Sequence, residues 1–504
     1  MERHARSDPG RTAVVSAGET LTYGELDRRC EALAAGLRGL GLEDGDPVVL
    51  LLPSGIPSIV ATIAVLKAGL VYVGMNVMLR AAEVRQVIID CGARAAITDA
   101  SLCGVAAEAA QGTTTLKHLV AFGRSSAISA DVLIERPVSE PATRPVGLGA
   151  RAALFYTGGT TGKPKGGIHD HANLAHWTKT ASARVGLTAE DRFLCVIPTF
   201  IGSSFMPGVW TALTHGARLY LMERFDPATA VELIHDERIS ISWGTVAHLQ
   251  RINELPYDRD LSCLRRAPFG GYSHPASLRE EFESRFRARV QHAWGMSETV
   301  STILMQPPND EQARMSDPDS VGPPMDGVEA AILDDDGHQV APEEPGELCL
   351  RPSAGSPWRP VLGYHRNPEE TERALAGGWF HTDDLARMDR RGWVTVEGRR
   401  GDLIKVSGWA VFAKEIERVV ATDPRVRAVA VTGVPDERSG QRPVAFVEPQ
   451  EGSSITPEEV HALVDRDLAR FKRLKDAVVL DRLPTNFYGK VSKSMLRERY
   501  LRQR

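Results

Sequence analysis

The 504-residue sequence predicts an α/β protein with a large N-terminal multilayer domain, a β-rich subdomain and a small α+β domain at its C-terminal end. Three observations carry this. Strand and helix patterns alternate from residue 22 onward. Near residue 320 the texture changes to short strands and Gly/Asp turns such as Asp334-Asp335-Asp336-Gly337. A charged, glycine-flanked stretch, Gly398 to Asp402, then precedes about 100 residues with strands and helices of their own, enough for a small domain.

The elements follow in order. Thr22-Tyr23-Gly24-Glu25 fits a capping box, with apolar residues at helical spacing to Leu40. Val48 to Leu52 reads as a strand, Ile59 to Ala68 as a helix and Leu70 to Val73 as a strand. Ala82 to Cys91 is helical and Ala95 to Thr98 a short strand. Residues 124–150, with little periodicity, read as a surface connection. The alternation resumes through a strand at Ala152 to Tyr156, then strands at Arg218 to Leu221 and Ile239 to Ser242. Helix Ala276 to Phe286 precedes a strand at Arg289 to His292.

Composition bounds the function. Apolar residues make up 42% and charged residues 25%, the balance of an ordinary globular chain. Net charge is −5, which implies no basic face for nucleic acid. Six scattered cysteines without a C-x-x-C pair read as reduced core residues. The start, Met1 to Arg6, has no apolar signal region, and Val48 to Leu66 is broken by Pro53, Gly55 and Pro57. No membrane span is expected, and the expected location is cytoplasmic.

The stretch Tyr156-Thr157-Gly158-Gly159-Thr160-Thr161-Gly162-Lys163-Pro164-Lys165-Gly166 carries most information. Glycines let backbone N–H groups approach an anion, hydroxyls donate further bonds, and Lys165 adds charge. It is not the common P-loop, because Gly158 and Gly162 are one residue too close and Pro164 follows Lys163. A plain surface loop is the alternative. Gly270-Gly271-Tyr272 reads either as a backbone shelf for a flat ligand or as an ordinary turn. In His292-Ala293-Trp294-Gly295-Met296-Ser297-Glu298, Trp294 offers a face for a purine, Ser297 a hydroxyl for phosphate, and Glu298 a hard oxygen ligand for Mg²⁺. The alternative for Glu298 is a solvated surface carboxylate. Histidines 169, 171 and 176 look like a metal cluster and are not read as one. The basic run Arg470 to Lys475 reads as a solvated helix face.

These motifs resemble those of the adenylate-forming superfamily, in its acyl-CoA synthetase branch. The phosphate stretch resembles Y-T-[SG]-G-T-T-G-x-P-K-G. Trp294 to Glu298 resembles Y-G-x-T-E, with Trp for Tyr and Ser for Thr. Gly378 to Leu385 resembles G-W-F-x-T-G-D-L, with Asp383 in place of glycine. Arg399 to Gly408 resembles the hinge motif G-R-x-K-D-x-I-K-x-x-G, with Gly401 in place of lysine. Pro484 to Lys490 resembles P-x-x-x-x-G-K. The motifs run in the family's order along nearly the whole chain.

The resemblance implies ATP, Mg²⁺ and coenzyme A. It implies a phosphate loop of Thr157, Gly158, Gly159, Thr160, Thr161, Gly162 and Lys165, and nucleotide contacts from Gly271, Tyr272, His292, Trp294, Gly295 and Ser297. Asp384 would hold the ribose hydroxyls and Arg399 ribose and phosphate. Lys490 would be the adenylation lysine, with Glu298 and Lys405 the other catalytic residues and Glu298 the metal ligand. Gly408 and Trp409 would serve the thiol. Domains 1–399 and 400–504 would meet at hinge Asp402, the smaller being a mobile lid. Ala410 stands where several CoA ligases have glutamine. Phe200, Ile201, Trp243 and Gly270 would line the acid pocket. Ile201 cannot pair with an ammonium as the family's aspartate does, so a nonpolar or bulky acid is expected rather than an amino acid. The expected activity is an acid–thiol ligase with a carboxylic acid and CoA as substrates. The alternatives are loading of a separate acyl carrier protein, a variant running one half-reaction, a luciferase-like oxygenase and a non-enzymatic nucleotide regulator. A homodimer is one open oligomeric state.

Overall fold

The computed structural model describes the chain except residues 139–141, 144, 145, 159–163, 201–204, 271–275, 308–316, 318, 407, 408, 486–490 and 504. Side chains of 158, 205–207, 276, 277, 409 and 410 are likewise outside the description. The chain divides into two compact units. One comprises Met1–Tyr272, Ser277–Ala330 and Leu350–His381; the other comprises Ser273–Ala276, Ala331–Cys349 and Thr382–Arg504.

The first unit holds two large sheets. One orders its strands Ile128–Ser129, His118–Phe122, Ala95–Asp99, Pro47–Leu51, Val71–Gly74, Arg151–Gly158 and Pro164–Asp170. It is parallel except for the last pair, a hairpin. The other runs Thr302–Met305, Val290–Gly295, Ala267–Gly270, Ile241–Thr245, Arg192–Cys195, Arg218–Leu221, Thr12–Ser16 and Glu19–Thr22. Its interior is parallel and its two edge pairs are antiparallel. Helices Ala81–Cys91 and Cys103–Ala110 cover the first sheet through Val84, Ile88 and Ala106. Helices Pro227–Asp236, Val246–Asn253 and Ala276–Phe286 cover the second through Val231, Leu249 and Phe282. Buried parallel strands need apolar residues on both faces, which is why Pro47–Leu51 is nearly all Val and Leu.

The second unit contains most of a four-stranded sheet, Val328–Leu333, Gly346–Pro352, Phe380–Met388 and Val394–Arg399. It also holds the sheet Trp409–Phe412, Leu403–Val406, Gly440–Pro449 and Val426–Asp436, with Asp476–Val479 added in parallel to Gly440–Pro449. Alternate residues of this sheet serve two cores. Val431, Ala445 and Val447 pack under helices Ala413–Val420 and Pro457–Asp467. Ala430, Val444 and Phe446 pack under Leu496 and Tyr500 of helix Lys493–Arg502.

The capping box forms as expected: Thr22 Oγ1 accepts from the Glu25 N–H, and the Glu25 carboxylate accepts from the Thr22 N–H. Two expectations are corrected. Residues 124–150 are more than a connection, since strand Ile128–Ser129 and helix Ala130–Glu135 lie within them. Ser129 caps that helix, whose Ala130 and Leu133 are buried, but six residues are too few for a visible period. The strand expected from Ile239 begins at Ile241, because Ile239 still donates to Ile234 O of the preceding helix. No two of the six cysteines form a disulfide. Among the described residues no helix is long and apolar enough to cross a membrane.

Candidate active site

The predicted site residues fall in two groups, one in each unit. In the first unit, Thr157 and Gly158 end strand Arg151–Gly158, and Pro164 and Lys165 open the returning strand. The two described ends of the stretch are therefore paired antiparallel strands. Gly159, Thr160, Thr161 and Gly162 lie outside the described residues. Gly166 faces Tyr156 across the hairpin, and a Cβ there would sit 2.9 Å from the tyrosine ring. The ring needs that glycine.

Glu298 is 8% exposed, in a short 3-10 turn, Ser297–Thr299, after strand Val290–Gly295. Its Oε1 accepts from Thr157 Oγ1 at 3.4 Å and from Tyr364 Oη at 3.2 Å. Its main-chain oxygen accepts from the Val361 N–H at 2.6 Å. Burial, with the Glu298 charge second, pushes the Tyr364 hydroxyl well above its ordinary range, so it stays a donor. The Glu298 carboxylate and Thr157 hydroxyl are hard oxygen donors of the kind magnesium takes. Gly295 has no alternative: a Cβ would overlap the backbone of Ser301 and Thr302. Val300, just past the turn, sits at φ 70°, ψ −45°, a strained geometry for a β-branched residue.

Behind the turn, buried His169 bonds to Ser297 O at 2.9 Å. A carbonyl only accepts, so Nε2 carries the proton, and Nδ1 accepts from Asn173 Nδ2 at 3.2 Å. Burial holds the imidazole down to about 4, hence neutral. Asp170 beside it caps helix His171–Val185, accepting from the Asn173 N–H.

The Lys165 ammonium pairs with Glu370 at 2.7 Å and lies 5.8 Å from the Tyr364 ring centroid. Arg373, with Lys165 adding to it, holds the Glu370 carboxyl below its usual range. Trp294 is half-buried, and His292 is buried with its N–H on Gln306 Oε1. Trp243 is buried edge-on against Trp177, ring centroids 6.3 Å apart. Gly270 lets strand Val290–Gly295 come close, since a Cβ would meet Ala293 O at 2.7 Å. Phe200 is half-buried. Ile201, Gly271 and Tyr272 lie outside the described residues. A π-helical turn, Phe205–Trp210, follows closely; such turns cluster at functional sites.

In the second unit Asp384 is 5% exposed and Arg399 stands opposite it, Nε to Oδ1 2.7 Å. Arg399 also donates to Thr382 O at 3.0 Å. Asp383 has φ 59°, which explains why a glycine is usual at this position of the resembled motif. Its N–H donates to Glu347 Oε1 at 3.0 Å, and Glu347 also pairs with Arg400. Arg400–Asp402 is a 3-10 turn, and a Cβ on Gly401 would meet nothing within 4 Å. Lys405 is exposed, its N–H on Gln441 Oε1. Trp409 opens strand Trp409–Phe412; its side chain, Gly408 and Lys490 lie outside the description.

The Arg470–Lys475 run is not a helix face. Arg470–Lys472 is a 3-10 turn, and Arg470, Phe471 and Arg473 join Asp436, Arg438 and Arg442 around a cavity of about 460 Å³. Sequence reasoning also missed Tyr364, which stands between Gly363 and His365 with no pattern to mark it.

Residues 1–355 match the AMP-binding enzyme family, and residues 415–490 match the AMP-binding enzyme C-terminal domain. The chain belongs to the AMP-binding enzyme family. Its relatives put it in the acyl-CoA ligase branch of that family. It is 33% identical to a feruloyl-CoA synthase of Amycolatopsis sp, over 99% of this chain and 98% of the relative. It is 31% identical to the fatty acid–[acyl-carrier-protein] ligase ScoC of Streptomyces coeruleorubidus, over 99% and 95%. Among solved structures it resembles ATP-bound MatB from Rhodopseudomonas palustris, with TM-score 0.89, 29% identity and 98% of each chain covered. The AMP-binding fold, a large α/β domain with a small C-terminal domain, is therefore the fold of this chain.

Proposed function

We propose that this member of the AMP-binding enzyme family joins a nonpolar or bulky carboxylic acid to CoA through an acyl-adenylate. The observation that carries the reading is the Glu298 carboxylate, buried and held by Thr157 at the mouth of the phosphate hairpin. A buried carboxylate beside an anion-binding turn repels phosphate unless a cation stands between them. Glu298 and Thr157 would hold that magnesium ion, which when bound neutralises phosphate charge.

A carboxylate oxygen attacks the α-phosphorus of ATP, and the bond to the β-phosphate oxygen breaks, releasing pyrophosphate. A thiol then attacks the acyl carbonyl, loses its proton, and AMP leaves. The protein mostly positions and neutralises charge. Residues Thr157 to Lys165 hold the β- and γ-phosphates and Ser297 the α-phosphate. Gly271, Tyr272, His292, Trp294 and Gly295 bind the adenine side, Asp384 the ribose diol and Arg399 ribose and phosphate. Lys490 bridges acid and α-phosphate, and Lys405, Gly408 and Trp409 serve the thiol step. Phe200, Ile201, Trp243 and Gly270 line the acid site. Residues 400–504 act as a lid turning at Asp402 against residues 1–399.

The arginine-walled cavity supports CoA, whose nucleotide end carries phosphates that guanidinium groups bind in pairs. The feruloyl-CoA relative supports a bulky acid, and ScoC keeps a carrier protein as the second candidate acceptor. A cytoplasmic setting suits ATP and CoA. The test separates the halves: acid-dependent pyrophosphate exchange over a panel of acids, and thioester formation from synthetic adenylate with CoA or carrier protein. Exchange with aryl or fatty acids and transfer to CoA are expected. No exchange with any acid would sink the reading. Lys490→Ala should abolish exchange and spare transfer from preformed adenylate.

A further inference from the structure

Lys493 opens helix Lys493–Arg502, just beyond Lys490 in the sequence. A cation is badly placed there, because the first turn of a helix presents its positive dipole end. Lys493 is also largely withdrawn from water, with 24% of its side chain exposed. Two carboxylates offset both costs. Nζ lies 2.9 Å from Glu417 Oε1 and 3.4 Å from Asp402 Oδ2. Glu417 is itself pinned, since the same Oε1 accepts from the Val431 N–H at 2.7 Å. Val431 is fully buried in strand Val426–Asp436. A chain of contacts therefore runs from a core strand through Glu417 and Lys493 to the side chain of Asp402.

This bears on how a hinge at Asp402 can turn. Each residue has two soft backbone torsions. Rotation about φ of Asp402 moves the chain before it and leaves Cβ in place relative to the chain after it. Rotation about ψ swings Cβ relative to the chain after it. A side chain clamped to the body that follows therefore resists change in ψ and permits change in φ. The adjoining Gly401 has open space where a Cβ would be, and glycine accepts a wide range of torsions.

We propose that Lys493 is a positioning residue that clamps Asp402 to the small domain, so that lid rotation is confined to φ of Asp402 and the torsions of Gly401. The clamp sets the ratio of the two half-reactions rather than the rate of either alone. This rests on the proposed two-step ligase reading with Asp402 as hinge.

The test compares K493M, K493R, D402N and the double variant D402N/K493M. Read-outs are pyrophosphate exchange, thioester formation from synthetic adenylate, and the rate of trypsin cleavage after Arg399 and Arg400. K493M and D402N should each change the ratio of half-reaction rates about tenfold in the same direction, and the double variant should do no more than either single. K493R should keep the wild-type ratio. Trypsin cleavage should quicken several-fold in K493M and D402N. An equal loss of both half-reactions in K493M, or additive effects in the double variant, overturns the clamp. D402N removes the same contact from a partly exposed position, so a misfolded K493M leaves the test intact. If the wild type catalyses neither half-reaction, the ligase reading fails by itself. The clamp then stands or falls on trypsin alone, and unchanged cleavage in D402N overturns it.

Discussion

Arg399 Nε lies 2.7 Å from Asp384 Oδ1, and the two residues are direct partners across an antiparallel strand pair. The sheet register brings them together, and Asp384 is buried while Arg399 is half exposed. The carboxylate is thus held in one orientation by its strand partner. Asp384→Ala is expected to raise the KM for ATP about ten- to a hundredfold, the worth of hydrogen bonds to a charged group at about 1.5–3 kcal/mol. Arg399→Met should cost less, since it removes the orienting partner and leaves the acceptor. The ATP dependence of pyrophosphate exchange measures both, and an unchanged KM in Asp384→Ala would remove that residue from the ribose site.

Tyr364 offers a second test. Its hydroxyl donates to buried Glu298, and Phe keeps the ring while deleting that bond. Tyr364→Phe should lower adenylation about tenfold or more and raise the Mg²⁺ concentration needed for half-activity, with little change in melting temperature. Thr157→Val should perturb the Glu298 carboxylate less, because its hydrogen bond to Glu298 is long at 3.4 Å. If both variants keep wild-type Mg²⁺ dependence, Glu298 does not hold the metal.

Asp383 carries left-handed backbone at φ 59°. Aspartate tolerates this region better than branched residues do, and glycine adopts it freely. Asp383→Gly should leave stability unchanged or slightly higher. Asp383→Val should cost about 1–2 kcal/mol. Urea unfolding of the three proteins gives the order, and a Val variant as stable as the Gly variant would show that this turn bears no strain.

His169 makes stability depend on pH. Its folded value is about 4 through burial, against an ordinary 6.5. The unfolded chain takes up a proton below about 6.5, whereas the folded chain does so only near 4. Stability is therefore greatest above 6.5 and falls as pH drops from 6.5 to 4. His248 behaves alike, burial first and the Arg251 charge second holding it near 4. His169→Gln should flatten part of that slope and leave the His248 part. Urea midpoints at pH 7.5 and 4.5 measure it, and an unchanged slope would rule His169 out as a contributor.

Residue types and local spacing by themselves determined the strand–helix alternation, the Thr22–Glu25 capping box and the order of the nucleotide motifs. Each rests on neighbours a few positions apart, where periodicity and short-range hydrogen bonds leave a pattern. The β-rich change near residue 320 was legible for the same reason. Tertiary structure alone decided what those motifs touch. Glu298 and Tyr364 are 66 positions apart, and Lys493 meets both Asp402 and Glu417. Trp243, read as a pocket wall, meets Trp177 edge-on from a parallel strand whose neighbours come from distant segments. Such pairings follow from strand order and crossover, which impose no fixed spacing on the chain. The strained turn at Asp383 shows both sides. The sequence supplied an aspartate where the resembled motif has glycine, and only the folded sheet, with Glu347 accepting from its N–H, showed that the backbone there is left-handed.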